Sequence, residues 1–195
     1  MNYGKIAAAI NFASHAHAGQ KRKYNGEPYM HHPMAVLGLL LSRVPHATED
    51  MLVAAVLHDV LEDTGVSFGG IEDTFGTDVA DLVYQLTEPK LEGNRAFRKE
   101  REAQRLATIS PEAQTIKYAD IICNLIDIDK HDPKFAPVYK YEKQRALMLM
   151  ADGDPSLRGS AWLLTLTSLP PCTQVYANFT GSGITIEEAQ RMVGG

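Results

Sequence analysis

Three carboxylates and an imidazole crowd one short stretch, His58-Asp59-Val60-Leu61-Glu62-Asp63. On a helix, at about 100° per residue, His58, Asp59, Glu62 and Asp63 fall within an arc of about 140°, because each pair is four residues apart. Carboxylates gain nothing near a helix C-terminus, where the dipole disfavours negative charge. A divalent metal is the cation that would compensate them. The bland alternative is the solvated end of an amphipathic helix. The His-Asp adjacency and two further sites weigh against it.

The first further site is His31-His32-Pro33, at the entrance to an apolar run. Spacing alone does not choose between the two histidines. The second is Asp120, with Asn124 four residues on and Ile121, Ile122 and Leu125 around it. A carboxylate among such residues needs a cation or several donors, and Lys117, one turn earlier, is the structural alternative to a metal. Two imidazoles and two carboxylates make a mixed N/O site suited to Mn²⁺, Fe²⁺, Zn²⁺ or Mg²⁺. Such an ion acidifies a water and polarises phosphorus–oxygen bonds. Glu62 and Asp63 would then be free to take the proton. Lys21, Arg22 and Lys23, adjacent in a turn-rich loop, are suited to neutralising phosphate. These residue types point to metal-assisted hydrolysis of a phosphate ester.

The elements that must position them read as helices. Ala-rich periodicity predicts a helix from about Tyr3 to Ala18, ended by Gly19, with His15 and His17 structural or dipole-related. A second helix begins at Pro33. A third, with Thr48 as N-cap, runs unbroken by Pro or Gly to Gly65. A loop from Gly65 to Gly70 precedes short helices at Ile71–Phe75 and Asp78–Leu86, the latter capped by Thr77. Asn94–Ala107 is a charged helix, either solvated with internal ion pairs or turned toward an anion. Ser110-Pro111 starts a long helix, Asp132-Pro133 breaks it, and another spans Pro137–Met150. Ser160–Leu169 fits helix or strand, and Thr185-Ile186-Glu187-Glu188 has capping-box spacing. The fold class is all-α. Residues 1–160 read as the chemical domain and 161–195 as an extension packed on it.

With 195 residues the chain suits one core. No apolar run reaches a membrane span. The net charge of −5 argues against a nucleic-acid duplex as partner. The two cysteines, Cys123 and Cys172, fit neither a metal site nor a disulfide scaffold and read as cytoplasmic thiols. The number of subunits is not legible.

Several strings resemble the HD phosphohydrolase superfamily, and within it the hydrolase domain of RelA/SpoT proteins. They are Gln20-x-Arg22-Lys23, Gly26-Glu27-Pro28-Tyr29-x-x-His32-Pro33, His58-Asp59-Val60-x-Glu62-Asp63-Thr64 and Lys117-x-Ala119-Asp120-x-x-x-Asn124-Leu125. The match covers roughly residues 5–155, in the family's order. The resemblance implies an all-helical HD domain and Mn²⁺-dependent removal of the 3′-pyrophosphate from a small nucleotide, (p)ppGpp or (p)ppApp. It implies His32, His58, Asp59 and Asp120 as metal ligands, and Glu62 and Asp63 as the pair handling the attacking water. Arg22, Lys23, Asn124 and Tyr139 (with Tyr141 as alternative) match substrate contacts. In extent the chain is similar to the stand-alone small hydrolases, of which the metazoan SpoT homologue is one. Its loop from Arg22 to His32 is one residue longer than in the long enzymes, which bears on the choice of purine. Two other functions fit the same residues: a phosphatase for another 2′/3′-phosphorylated nucleotide such as NADPH, and a non-catalytic nucleotide-binding module.

Overall fold

The run from Met51 to Leu57 is apolar at every position, so it cannot be a surface helix. In the computed structural model, which describes residues 3–23 and 26–166, every residue of that run is buried. It forms α3 (Glu49–Leu57), the central helix. Thr48 caps it, accepting the Met51 N–H at 3.2 Å, as its residue type predicts.

Around α3 pack α1 (Tyr3–Ala16), α2 (His31–Arg43), α6 (Thr77–Leu86) and α8 (Pro111–His131). Between α3 and α6 lie α4 (Val60–Asp63) and α5 (Phe68–Phe75). Then α7 (Arg95–Leu106) packs on α9 (Ala136–Leu149), and α10 (Pro155–Leu166) on α8 and α9. Among the described residues there is no strand, and the isolated Lys21–Pro28 bridge only closes the loop between α1 and α2. The all-α expectation holds. No described helix is long and apolar enough to cross a membrane.

Ser110 caps α8 through the Ala113 N–H, with Pro111 in its first turn. Asn94 caps α7 in the same way, through the Phe97 N–H. Three expectations need correction. Thr77 is the first residue of α6 rather than its cap: Gly76, at φ +89°, ends α5 and begins α6 at once, a conformation that suits glycine. The loop expected up to Gly70 ends sooner, because Ser67 accepts the Gly70 N–H and starts α5 at Phe68. The third helix does not run unbroken to Gly65; it stops at Leu57, for a reason that belongs to the site. The stretch from Ser160 left open between helix and strand is helical as far as Leu166. The capping box at Thr185 lies outside the described residues. The division drawn between residues 160 and 161 crosses α10.

The charges of α7 turn to protein partners. Arg95 makes a two-pronged bond to Glu142 at 2.7 and 2.8 Å. Arg145 does the same to Glu100 at 2.9 and 2.8 Å. Lys99 pairs with Glu88, and Arg105 with Glu102 and the Gln85 carbonyl. The helix is therefore clamped to α9 by fork-on-fork pairs, the geometry in which Arg is strongest.

Candidate active site

His58 ends α3 with its own side chain. Its Nδ1–H donates to the Ala55 carbonyl at 2.8 Å. In an unbroken helix that carbonyl would accept the Asp59 N–H. The ladder stops, Asp59 sits at φ −99°, ψ −4°, and α4 restarts at Val60. With Nδ1 donating, Nε2 is the nitrogen aimed inward, the arrangement common to ligating histidines.

Four side chains meet there. The Nε2 atoms of His32 and His58 are 3.3 Å apart. Asp120 Oδ1 lies 3.1 Å from His32 Nε2 and 3.8 Å from His58 Nε2. Asp59 Oδ2 lies 3.0 Å from His58 Nε2 and 3.8 Å from His32 Nε2. Ligand atoms of His32, His58 and Asp120, all three buried, lie within 4.8 Å of one another, as a shared metal ion requires. Buried nitrogen and oxygen donors converging on one point fit a borderline divalent ion. His31 is exposed and pairs with Glu27 at 3.1 Å, so it is His32 that reaches the cluster. Lys117 does not replace the cluster but completes it: its Nζ takes Asp120 Oδ2 at 2.9 Å, while Asn124 Nδ2 donates to Oδ1 at 2.6 Å.

The charges explain the ionisation states. Burial opposes a charge on His58, yet Asp59 and Asp120 outweigh it and hold its pKa up at about 9. Burial likewise opposes the charge on Asp120, and Lys117 and the two imidazoles overcome it, holding its carboxyl well below the usual range. Asp59 is lowered in the same way by His58. Without a metal, the proton held on His58 stands in for a cation.

Glu62 and Asp63 lie on α4, one turn beyond Asp59, and both are exposed. Partial burial raises the Glu62 pKa, against the Glu88 N–H that donates to its Oε2 at 2.9 Å. Arg22 reaches the mouth of the site. Its Nη2 pairs with Asp127 Oδ2 at 2.5 Å and lies 3.4 Å from Asn124 Oδ1. Lys23 is exposed on the same loop. Tyr139 faces the cluster from α9, where burial first and then Asp120 raise its hydroxyl pKa far above the ordinary value. Lys143 Nζ lies over the Tyr139 ring, 4.9 Å from its centroid.

Three residues escaped the sequence reasoning. Tyr29 donates its hydroxyl to Asp59 Oδ2 at 2.5 Å; its place three residues before His32 was the available signal. Burial and the neighbouring Lys117 pull the Lys143 pKa down to about 8. Asp127 shares a face of α8 with Asp120 and Asn124, at helical spacing that could have found it.

A helical core that seats histidines and aspartates from α2, α3 and α8 around one point defines an HD domain. Residues 9–145 match the HD domain family, and the chain belongs to it. Within that family its relatives are hydrolases of the RelA/SpoT type. The guanosine-3′,5′-bis(diphosphate) 3′-pyrophosphohydrolase MESH1 of Mus musculus is 35% identical over 134 residues, spanning 66% of this chain and 72% of that protein. The Drosophila melanogaster MESH1 is 37% identical over 131 residues, with the same coverage of 66% and 72%. A solved structure of a metazoan SpoT orthologue, which hydrolyses ppGpp and plays a role in starvation responses, matches with a TM-score of 0.76 at 29% identity. That match covers 82% of this chain and 93% of the other.

Proposed function

We propose that this chain removes the 3′-pyrophosphate from (p)ppGpp or (p)ppApp, releasing pyrophosphate and GDP or GTP, or their adenosine equivalents. The carrying observation is the buried His32–His58–Asp120 cluster, with Glu62 at a raised pKa one turn beyond. The likeness to MESH1 proteins, named for this activity, supports the same reading. The proposed ligands of a divalent ion, Mn²⁺ first, are His32, His58, Asp59 and Asp120. When bound, that ion supplies Lewis acidity to the phosphoryl group and lowers the pKa of a water.

The protein's part is then as follows. Water attacks the phosphorus next to O3′; a new P–O bond forms and the P–O3′ bond breaks. Glu62, its pKa raised by partial burial, accepts one proton of the water, assisted by Asp63. The other proton leaves on pyrophosphate, and O3′ is protonated from solvent or from the same carboxyl. Lys143 and Lys117 offset the phosphate charge from the α8 and α9 side. Arg22, Lys23, Asn124 and Tyr139 line the approach for sugar and base. The fold holding this chemistry takes in α10 as far as Leu166, beyond the division at residue 160 expected from the sequence, and the setting is the cytoplasm.

The test is pyrophosphate release by purified, Mn²⁺-loaded protein given ppGpp, ppApp and NADPH in parallel. Pyrophosphate from either alarmone, abolished in Asp63→Ala, is the expected result and ranks the bases. Release of phosphate from NADPH alone overturns the alarmone assignment. No turnover of any of the three, with metal present, leaves a binding module.

A further inference from the structure

Behind the cluster, a second set of polar contacts ties the end of α1 to the acidic turn. His17 is buried, and its Nδ1 lies 2.8 Å from Gln20 Oε1. Because an amide oxygen only accepts, the imidazole proton sits on Nδ1. Its Nε2 has no partner among the described residues. A buried unpaired nitrogen is unfavourable, and such exceptions call for a reason. Gln20 spends its other end on the active-site side: Nε2 donates to the Asp63 backbone carbonyl at 2.8 Å.

The His17 ring also stacks on Tyr29, centroid to centroid at 4.6 Å with an interplanar angle of 31°. Tyr29 is locked to Gln20 by its N–H, which donates to the Gln20 carbonyl at 3.1 Å. Its hydroxyl holds Asp59 Oδ2 and bears on the Asp63 carboxylate as well. The supported segment is weak in itself. The four residues of α4 form a single turn following a broken ladder, and a lone turn does not hold its own shape in water. Its last carbonyls have no partners within the helix, and Gln20 supplies one.

We infer that His17, Gln20 and Tyr29 form a brace that fixes the Asp59–Asp63 turn, and that they are positioning residues. Gln20 sets the acidic pair, and Tyr29 sets the carboxylate of Asp59. The catalytic half of this inference, and the reading of Asp59 as a metal ligand, rest on the function proposed above; the bracing of the turn does not.

Two substitutions test it. Gln20→Glu keeps the shape and still accepts the His17 proton, but cannot donate to the Asp63 carbonyl. Amide hydrogen exchange across residues 59–66 is expected to rise, with Tm within about 2 °C of wild type. Pyrophosphate release should lose about ten-fold or more in kcat, with KM little changed, because small misplacements near the reacting atoms cost rate rather than binding. Tyr29→Phe removes only the hydroxyl and should weaken Mn²⁺ binding by about ten-fold or more, the usual cost of losing a partner behind a ligand. Unchanged exchange in Gln20→Glu together with unchanged Mn²⁺ affinity in Tyr29→Phe overturns the brace, whatever the substrate. Raised exchange with kcat intact, or a loss confined to KM, overturns the positioning role. If the wild type releases no pyrophosphate while exchange and Mn²⁺ affinity respond as described, the brace stands and the proposed reaction falls.

Discussion

The Nε2 atoms of His32 and His58 face each other across 3.3 Å, with Asp120 Oδ1 and Asp59 Oδ2 beside them. Two like nitrogens so close are tolerable only with a proton or a cation between them and the carboxylates. In the metal-free protein His58 has a pKa raised to about 9 by Asp59 and Asp120 against the opposition of burial. Its contribution to stability is therefore fully present below the unfolded value near 6.5 and lost as pH rises through about 9. Metal needs the neutral ring, so Mn²⁺ binding at pH 7 should expel about one proton. Calorimetric titration in buffers of differing ionisation enthalpy measures that release, and proton-neutral binding would contradict it.

Asp120→Ala deletes a proposed ligand and leaves Lys117 without its partner at 2.9 Å. Metal content should fall to background by elemental analysis, and stability should fall by roughly 3–5 kcal/mol, the cost of breaking a buried pair. Retention of stoichiometric metal would remove Asp120 from the ligand set.

Glu62 is held by the Glu88 N–H and sits at a raised pKa. Glu62→Gln keeps the hydrogen-bond acceptor and loses the proposed base. Steady-state assays of pyrophosphate release should show kcat down by about 10²- to 10⁴-fold with Mn²⁺ binding intact. An unaltered kcat would move the proton to Asp63.

Lys143 has its pKa lowered to about 8 by burial and then by Lys117. The folded value lies below the unfolded value near 10.4, so the charged side chain penalises the fold. That penalty is full below about pH 8 and fades as pH rises toward the unfolded value. Lys143→Met should accordingly raise Tm at pH 7, with the gain shrinking between pH 8 and 10. In the same variant KM for an anionic nucleotide should rise at pH 7. In the wild type KM should climb as pH passes 8.

Gly153 packs where a Cβ would come within 2.6 Å of Tyr118 Cε2 and 2.8 Å of the Thr115 backbone nitrogen. Backbone cannot yield as a flexible side chain does. Gly153→Ala should destabilise by roughly 1–3 kcal/mol, seen as a Tm lower by several degrees, with Mn²⁺ affinity unchanged.

Helix starts were legible because capping is local: Thr48 and Ser110 bond to amides three residues on. The end of α3 was not, since no Gly or Pro marks it and the cause is a side chain bonding back to Ala55. The partners of α7 escaped for the opposite reason. Glu142 and Arg145 come from α9, more than forty residues on, beyond the reach of periodicity. His32 is likewise 26 residues from His58 and 88 from Asp120, so residue types suggested the chemistry while resemblance chose His32 over His31. Tyr29 stood in a quoted motif, yet nothing in its neighbours on the chain reveals that its hydroxyl ends at Asp59.

Adjacent residues on a regular helix point about 100° apart, so a His-Asp pair on an intact helix could not easily serve one ion. Here the imidazole itself cuts the ladder by taking the Ala55 carbonyl, and the cut swings Asp59 to within 3.0 Å of His58 Nε2. The dipeptide is thus a folding instruction as well as a proposed donor pair. A thiolate in place of His58 could bind a metal but has no Nδ1–H to spend on that carbonyl. Donor chemistry and chain direction at this point are inherited together, and neither can be exchanged alone.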